Sequence, residues 1–204
     1  GREQIRARLK ERGFSGNELY AAGQYLTTIV FDSIGSVCSS AHQAMQWLRE
    51  CAGLIAKDGR LVSWVTPLGF PVVQPYRKGK RVNVIAGSYR LYVGLRDRGK
   101  PRVSKQRQAC PPNFVHSIDA THMFNTALAC QKAGIAFAAI HDSFWTHAAT
   151  TGILDALLRE QFVLTHSRPL LHDLAEQWKK RHPNISFPEP PPLGQYRVSE
   201  VANA

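Results

Sequence analysis

The sequence predicts an α+β fold, with helices packed on a small antiparallel sheet. Three observations carry the prediction. Trp47, Leu48, Cys51, Leu54 and Ile55 recur at helical spacing and share one face. A second helical stripe runs through Leu154, Leu157, Leu158 and Phe162, then Leu170, Leu171, Leu174 and Trp178. Between these stripes lie short apolar runs bounded by turn formers: Leu61–Val65 with Phe70–Gln74, and Ile135–Ile140 with Phe144–Trp145. Runs of that length and flanking read as strands of hairpins.

In chain order, Gly1 to Arg12 is basic and amphipathic, with Ile5 and Leu9 one turn apart and Gly13 suited to the C-terminal cap. Asn17 is placed to cap a helix over 18–34. Ser39 or Ser40 caps another that reaches about Lys57, with Gln43 in a capping-box position. His42 reads as a surface or cap residue. Thr66-Pro67-Leu68-Gly69 turns the first hairpin, and Pro71 and Pro75 confine its second strand to an edge. Val82–Tyr92 supplies a further strand pair broken by Gly87, and Gly94–Arg107 reads as a mobile basic loop. Pro111-Pro112 opens a helix to about Lys132, closed by Gly134. Thr150 or Thr151 caps a helix to about His166, and Pro169 opens one to about Arg181. The five prolines from Pro183 to Pro192 predict an extended, surface-wrapping segment.

The 204 residues bound the chain to one domain or part of one, with 44% hydrophobic residues to build a core. No apolar run is long enough for a transmembrane helix, so no membrane insertion is expected. The chain opens on Gly1, inside a predicted helix and without an initiator Met, which points to a segment of a longer polypeptide. Cys38, Cys51, Cys110 and Cys130 lack CxxC spacing, so they read as reduced, buried thiols. The net charge is +11, and its placement is uneven. Between Tyr76 and Arg107, eleven Lys and Arg residues face a single acid, Asp97. Arg77, Lys78, Lys80 and Arg81 head this block. Such a block is the electrostatic footprint of nucleic-acid binding, against the plainer reading of a solvated insertion.

The chemistry concentrates in Ile135–His147. The strand Ile135–Ile140 is expected to be buried on both faces and rigid. His141, Asp142 and Ser143 stand at or beside the tip of a tight hairpin, where a carboxylate can offer oxygen to a hard cation such as Mg²⁺. Other readings of these residues are weaker. A metal-dependent phosphohydrolase would need further histidines and an aspartate converging from helices. A nucleophilic triad at Ser143 lacks the Gly-x-Ser-x-Gly elbow. His116 and Asp119 share a helix face with Met123, and a lone helical histidine is ordinarily structural.

His141-Asp142-Ser143-Phe144-Trp145-Thr146-His147-Ala148 resembles the C-motif of single-subunit, phage-type DNA-directed RNA polymerases. Pro111 to Asp119 resembles the helix preceding that motif, and Trp64 to Val72 resembles the promoter-specificity hairpin. The Trp-Thr-His-Ala ending is closer to the organellar members. The resemblance covers nearly the whole chain. It implies the C-terminal part of a polymerase catalytic domain, with palm and fingers portions. Residues 61–92 would be the specificity hairpin region, 93–110 a basic loop, 111–147 the palm helix and catalytic hairpin, and 183–204 an extended tail.

Asp142 would be one of two catalytic aspartates that hold two Mg²⁺ ions, the other lying upstream of Gly1. His141, Ser143 and His116 would lie near the active site. Asn113, Ser117, Asp119 and His122 match the motif with less defined roles, and His122 could pack or bond locally. Thr66, Gln74, Arg77, Lys78, Lys80 and Arg81 would contact DNA. The implied partners are template and promoter DNA, nascent RNA, ribonucleoside triphosphates and organellar transcription factors. The implied compartment is the mitochondrion, with the plastid as alternative. The alternative function is a non-catalytic, nucleic-acid-binding remnant of a polymerase. The ending Val201-Ala202-Asn203-Ala204 departs from relatives that finish on aromatic residues, so the resemblance assigns it no active-site role.

Overall fold

A computed structural model describes residues 2–86, 89–95 and 99–203, with the strands between 80 and 95 described by backbone alone. Among the described residues helices dominate and three separate two-stranded antiparallel sheets accompany them, an α+β composition in which hairpins stand in place of the single small sheet expected. The chain divides into two compact units, residues 1–44 and 45–204.

The first unit pairs helices α1 (Arg2–Glu11) and α2 (Gly16–Val37). Ser15 rather than Asn17 is the residue before α2, so the helix begins earlier than capping preference suggests. The two helices meet where Gly23 and Thr27 are buried, and Arg6 lays its guanidinium over the Tyr20 ring, 4.8 Å from the centroid. Helix α3 (Ser39–Lys57) begins in this unit, and its apolar positions from Trp47 onward belong to the second.

The second unit is organised by three buried tryptophans. Trp47 on α3 stacks on Trp178 of helix α6 (Leu170–Arg181), with centroids 5.8 Å apart, and Trp178 stacks in turn on Phe187. Trp64, on strand β1 (Ser63–Val65), meets Phe114 edge-on at 5.9 Å. Each indole N–H has an acceptor: the Pro188 carbonyl for Trp47, Ser117 Oγ for Trp64 and the Ser63 carbonyl for Trp178. Burying a large ring while satisfying its one polar atom avoids the desolvation cost that makes buried tryptophan rare. The Pro188 carbonyl also tethers the 183–192 segment to the core, and the segment is extended as its prolines predict; only its first residues form a turn.

Strand β1 pairs with β2 (Pro71–Val73) in the register Trp64 to Val72. The hairpin is tied to α6 along β1, while β2 exposes Pro71 and Val73. Gln177 on α6 covers the outer edge of β1, accepting the Val65 N–H at 2.9 Å and donating to the Val65 carbonyl at 3.1 Å. Strands β3 (Lys80–Ala86) and β4 (Tyr89–Leu95) form the expected further pair, and the Gly87 break lies outside the described residues.

Helix α4 (Val103–Lys132) corrects two expectations. The helix starts eight residues before Pro111, so the basic loop is shorter than the composition suggests. Pro111 and Pro112 lie inside it. Each proline removes a helical donor, which leaves the carbonyls of Arg107 and Gln108 without their usual partner. Both residues are exposed, where water can serve those carbonyls. The first turns are held instead by a tertiary network. Gln106 is fully buried and donates to the carbonyls of Gln74 and Tyr76, at 2.9 and 3.2 Å. Gln74, equally buried, donates to Gln106 Oε1 at 2.9 Å. Asn113 then donates to Gln74 Oε1 at 2.8 Å.

After α4, Gly134 at φ +68° reverses the chain, a left-handed position that glycine takes without a Cβ penalty. Strands β5 (Ala138–Ile140) and β6 (Ser143–Trp145), then helix α5 (Thr151–His166) and α6, follow. Cys51, Cys110 and Cys130 are buried free thiols as expected, whereas Cys38 is exposed. Burial pushes the Cys51 and Cys110 thiols up to about 12, which keeps them protonated and inert.

Two outcomes follow from this packing. Gln106→Leu removes the partner of the buried Gln74 carbonyl, while the Tyr76 carbonyl keeps the Arg102 N–H and the Gln74 amide keeps the Gln106 main-chain carbonyl. It should lower stability by about 1–3 kcal/mol, the usual cost of one buried group left unsatisfied, read from urea unfolding. His182 is buried, and burial together with Arg60 and Arg181 lowers its affinity for a proton, against a smaller opposing effect of Asp58. Above the ordinary value of 6.5 it is neutral folded and unfolded, and its contribution is complete. As pH falls below 6.5 the unfolded chain takes up the proton first, so stability is lost until the lower folded-state value is passed. The urea midpoint should therefore fall between about pH 7.5 and about 5.5, and His182→Leu should reduce that fall.

Candidate functional site

The 138–145 hairpin is the tightest antiparallel turn available to the chain. Ile140 pairs with Ser143, Ala139 with Phe144 and Ala138 with Trp145, so His141 and Asp142 alone form the turn. A two-residue hairpin turn needs positive φ at its first central position. His141 supplies it at φ +55°, the only non-glycine described residue to do so. Histidine, asparagine and aspartate enter this region more readily than other residues, at a cost of roughly 1 kcal/mol.

The alternating pleat divides the hairpin into two faces. The inner face carries Ala139 and Phe144. Phe144 stacks on Phe137 at 5.8 Å and meets the edge of His122 on α4 at 6.1 Å. His122 meets Phe162 of α5 edge-on at 5.6 Å, and its Nε2 donates to the Leu158 carbonyl at 3.0 Å. His122 thus packs and bonds locally. Thr146 closes the open end by donating to the Ala136 carbonyl at 2.7 Å. The outer face, Ile140 and Trp145, is exposed at 63% and 48%. The expectation that Ile135–Ile140 is buried on both faces is therefore corrected. Only three of those residues are strand, and one face alone is packed.

The anchored hairpin holds the Asp142 side chain in the open. Asp142 is exposed, and among the described residues it has neither an ion pair nor a hydrogen bond. His141 and Ser143 flank it in the same turn and are also exposed. A free carboxylate is a good oxygen donor for a hard cation. Among the described residues no three His, Cys, Asp or Glu side chains come together as a metal cage. The turn fits one ligand of such a cation and no more.

The other predicted residues fall in two groups. His116 and Asp119 are exposed on α4, and no hydrogen bond or ring contact among the described residues joins them to the turn. Ser117 is structural: it accepts from Trp64 and donates to the Phe114 carbonyl at 2.7 Å. Asn113 is likewise committed to Gln74 and to the Tyr76 hydroxyl.

Thr66 and Gln74 are buried at 7% and 1% exposure. Thr66 Oγ1 accepts the Phe70 N–H, which fixes the 66–70 turn. Arg77 is half-buried and donates to the Gly99 carbonyl at 3.0 Å, beside an isolated bridge between Arg77 and Pro101. Lys78 is exposed, and the side chains of Lys80 and Arg81 lie outside the described residues. Sequence reasoning did not single out Gln106. A glutamine in a polar, basic stretch gives no sign that it will be buried.

The sequence profile of the DNA-dependent RNA polymerase family matches residues 1–203. The chain is 43% identical over 202 residues to DNA-directed RNA polymerase 1, mitochondrial, of Nicotiana sylvestris. That alignment covers 98% of this chain and 20% of the relative. It is 44% identical over the same length to DNA-directed RNA polymerase 3B, chloroplastic, of Nicotiana tabacum, covering 98% and 21%. It is 43% identical to DNA-directed RNA polymerase 2, chloroplastic/mitochondrial, of Nicotiana sylvestris, covering 98% and 20%. The chain thus spans about a fifth of the length of these relatives. They are mitochondrial, chloroplastic or both.

Proposed function

The chain belongs to the DNA-dependent RNA polymerase family, and on that premise we propose that it forms the C-terminal part of a polymerase catalytic domain. The complete protein transcribes organellar DNA, in the mitochondrion or alternatively the plastid. It transfers nucleotides from ribonucleoside triphosphates to an RNA 3′-hydroxyl on a DNA template. The observation that carries the reading is the Asp142 carboxylate, exposed and unpaired on a two-residue turn whose inner face packs on His122 of α4 and whose open end Thr146 closes. A rigid mount with a free oxygen donor is what a metal-assisted phosphoryl transfer asks of one ligand.

Asp142 would hold Mg²⁺ together with an aspartate outside this chain. When bound, the two ions activate the attacking oxygen and stabilise the leaving pyrophosphate. The residues of this chain do the positioning. His141 sets the turn through its positive φ and orients the neighbouring carboxylate. Ser143 begins the return strand. His116 presents an exposed imidazole from α4 toward the nucleotide. The palm helix and catalytic hairpin would be 111–147. The region 61–92 would carry promoter specificity, with Thr66 and Gln74 fixing the hairpin from within. Arg77, Lys78, Lys80 and Arg81 would meet DNA phosphates. No helix among the described residues is long and apolar enough to cross a membrane.

Two outcomes test this reading. The purified 204-residue chain should not incorporate labelled nucleotides on a primed template, since it holds one carboxylate of the pair; robust incorporation overturns the assignment. In the full-length protein, Asp142→Asn should slow single-turnover nucleotide addition by at least about 10²–10³, the usual loss for one electrostatic element. Template affinity should be nearly unchanged. His141→Ala and Ser143→Ala should be milder, in that order. A near wild-type rate for Asp142→Asn would reduce the hairpin to a structural turn.

A further inference from the structure

We propose that the cleft between α3 and the first turns of α4 holds a backbone phosphate of the bound nucleic acid, separately from the Arg77–Arg81 cluster. The cleft has a volume of about 520 Å³ and is lined by Arg49, Lys57 and Arg107 against one acid, Glu50. None of the three cations is in an ion pair among the described residues. Arg49 is half-buried, and its Nε is enclosed with no hydrogen-bond partner. An enclosed guanidinium donor without an acceptor is costly, and an anionic oxygen is the acceptor that best offsets it.

The backbone is shaped for this placement. Gly53 on α3 is buried, and a Cβ there would come within 3.0 Å of Arg107 Cδ and 3.2 Å of its Cγ and Nε. The glycine lets the Arg107 side chain lie across α3, on the same cleft as Arg49 and Lys57. Gln106, locked to Gln74 and Tyr76, fixes where its neighbour Arg107 leaves α4. The excess of two positive charges with bidentate donors suits a phosphodiester oxygen pair, which carries a single negative charge with two acceptors. Single-stranded and duplex nucleic acid share that chemistry, and the test separates them.

This inference rests on reading the chain as nucleic-acid-binding, and the test keeps the two apart. Binding of fluorescein-labelled single-stranded RNA and duplex DNA to the 204-residue chain is measured by anisotropy across a salt series. The double variant Lys57→Gln, Arg107→Gln should reduce the slope of log affinity against log salt. One lost phosphate contact corresponds to about 0.7 on the single strand or about 0.9 on the duplex, and the probe that shows the loss is the one the cleft holds. Arg49→Gln should act in the same direction, and Arg49→Lys should retain most of the slope. Lys132→Gln, an exposed lysine at the far end of α4, should leave it unchanged.

Arg77→Ala, Lys78→Ala, Lys80→Ala, Arg81→Ala should flatten the slope additively with the cleft variants. If this cluster flattens the slope and the cleft variants do not, the cleft inference is overturned and the nucleic-acid reading stands. If the unmodified chain shows no salt-dependent binding, both fall. Should Arg49→Gln unfold the protein, the exposed Lys57→Glu carries the test alone: an unchanged slope overturns the inference.

Discussion

Gln74 and Gln106 are the constraint on which the second unit depends. Each is buried, and each completes the other's hydrogen bonding, with Asn113 and the Tyr76 carbonyl closing the network. Buried amides of this kind are costly when half-satisfied and specific when complete. The network ties the 63–73 hairpin to the beginning of α4. It also allows a helix to run through Pro111 and Pro112, because the first turns are held from outside the helical ladder. A thirty-residue helix spans about 45 Å at ordinary rise, so what fixes its start also fixes where its far end delivers the chain.

At that far end the chain makes the 138–145 hairpin. Its inner face packs on His122 through Phe144, His122 in turn meets Phe162, and the hairpin's positive φ is confined to His141. Strain of this sort persists where the surroundings over-determine it, and such positions gather at functional sites. The consequence here is chemical. The carboxylate that the hairpin carries, Asp142, is exposed and unpaired among the described residues. The outer face of the same hairpin leaves Ile140 and Trp145 open. The chain spans about a fifth of its relatives' length.

Much of this was legible in the sequence, for identifiable reasons. The His141–Asp142 turn follows from short apolar runs around turn formers, and the α3 stripe from strict helical spacing. The extended 183–192 segment follows from its prolines. The misreadings share a different cause. Pro111-Pro112 reads as a helix start because the local rule is strong, and the tertiary anchoring of Gln106 that overrides it leaves no periodic trace. Thr66 and Gln74 are assigned to DNA by the resemblance alone, which gives no sign that both side chains make internal hydrogen bonds. The Ile135–Ile140 run reads as a two-faced core strand because it is uniformly apolar. Only the structure shows that one face is packed.

The central claim is that Asp142 carries the catalytic cation. Local cleavage by iron tests it directly. Fe²⁺ substituted for Mg²⁺ in the full-length polymerase, with ascorbate and peroxide, generates hydroxyl radicals at the bound ion, and these cut the nearest backbone. Cleavage should map to the 138–145 hairpin, be competed by Mg²⁺ and disappear in Asp142→Asn while His122 and Thr146 keep the hairpin folded. Cleavage that leaves the hairpin intact, or persists there unchanged in Asp142→Asn, would contradict the account.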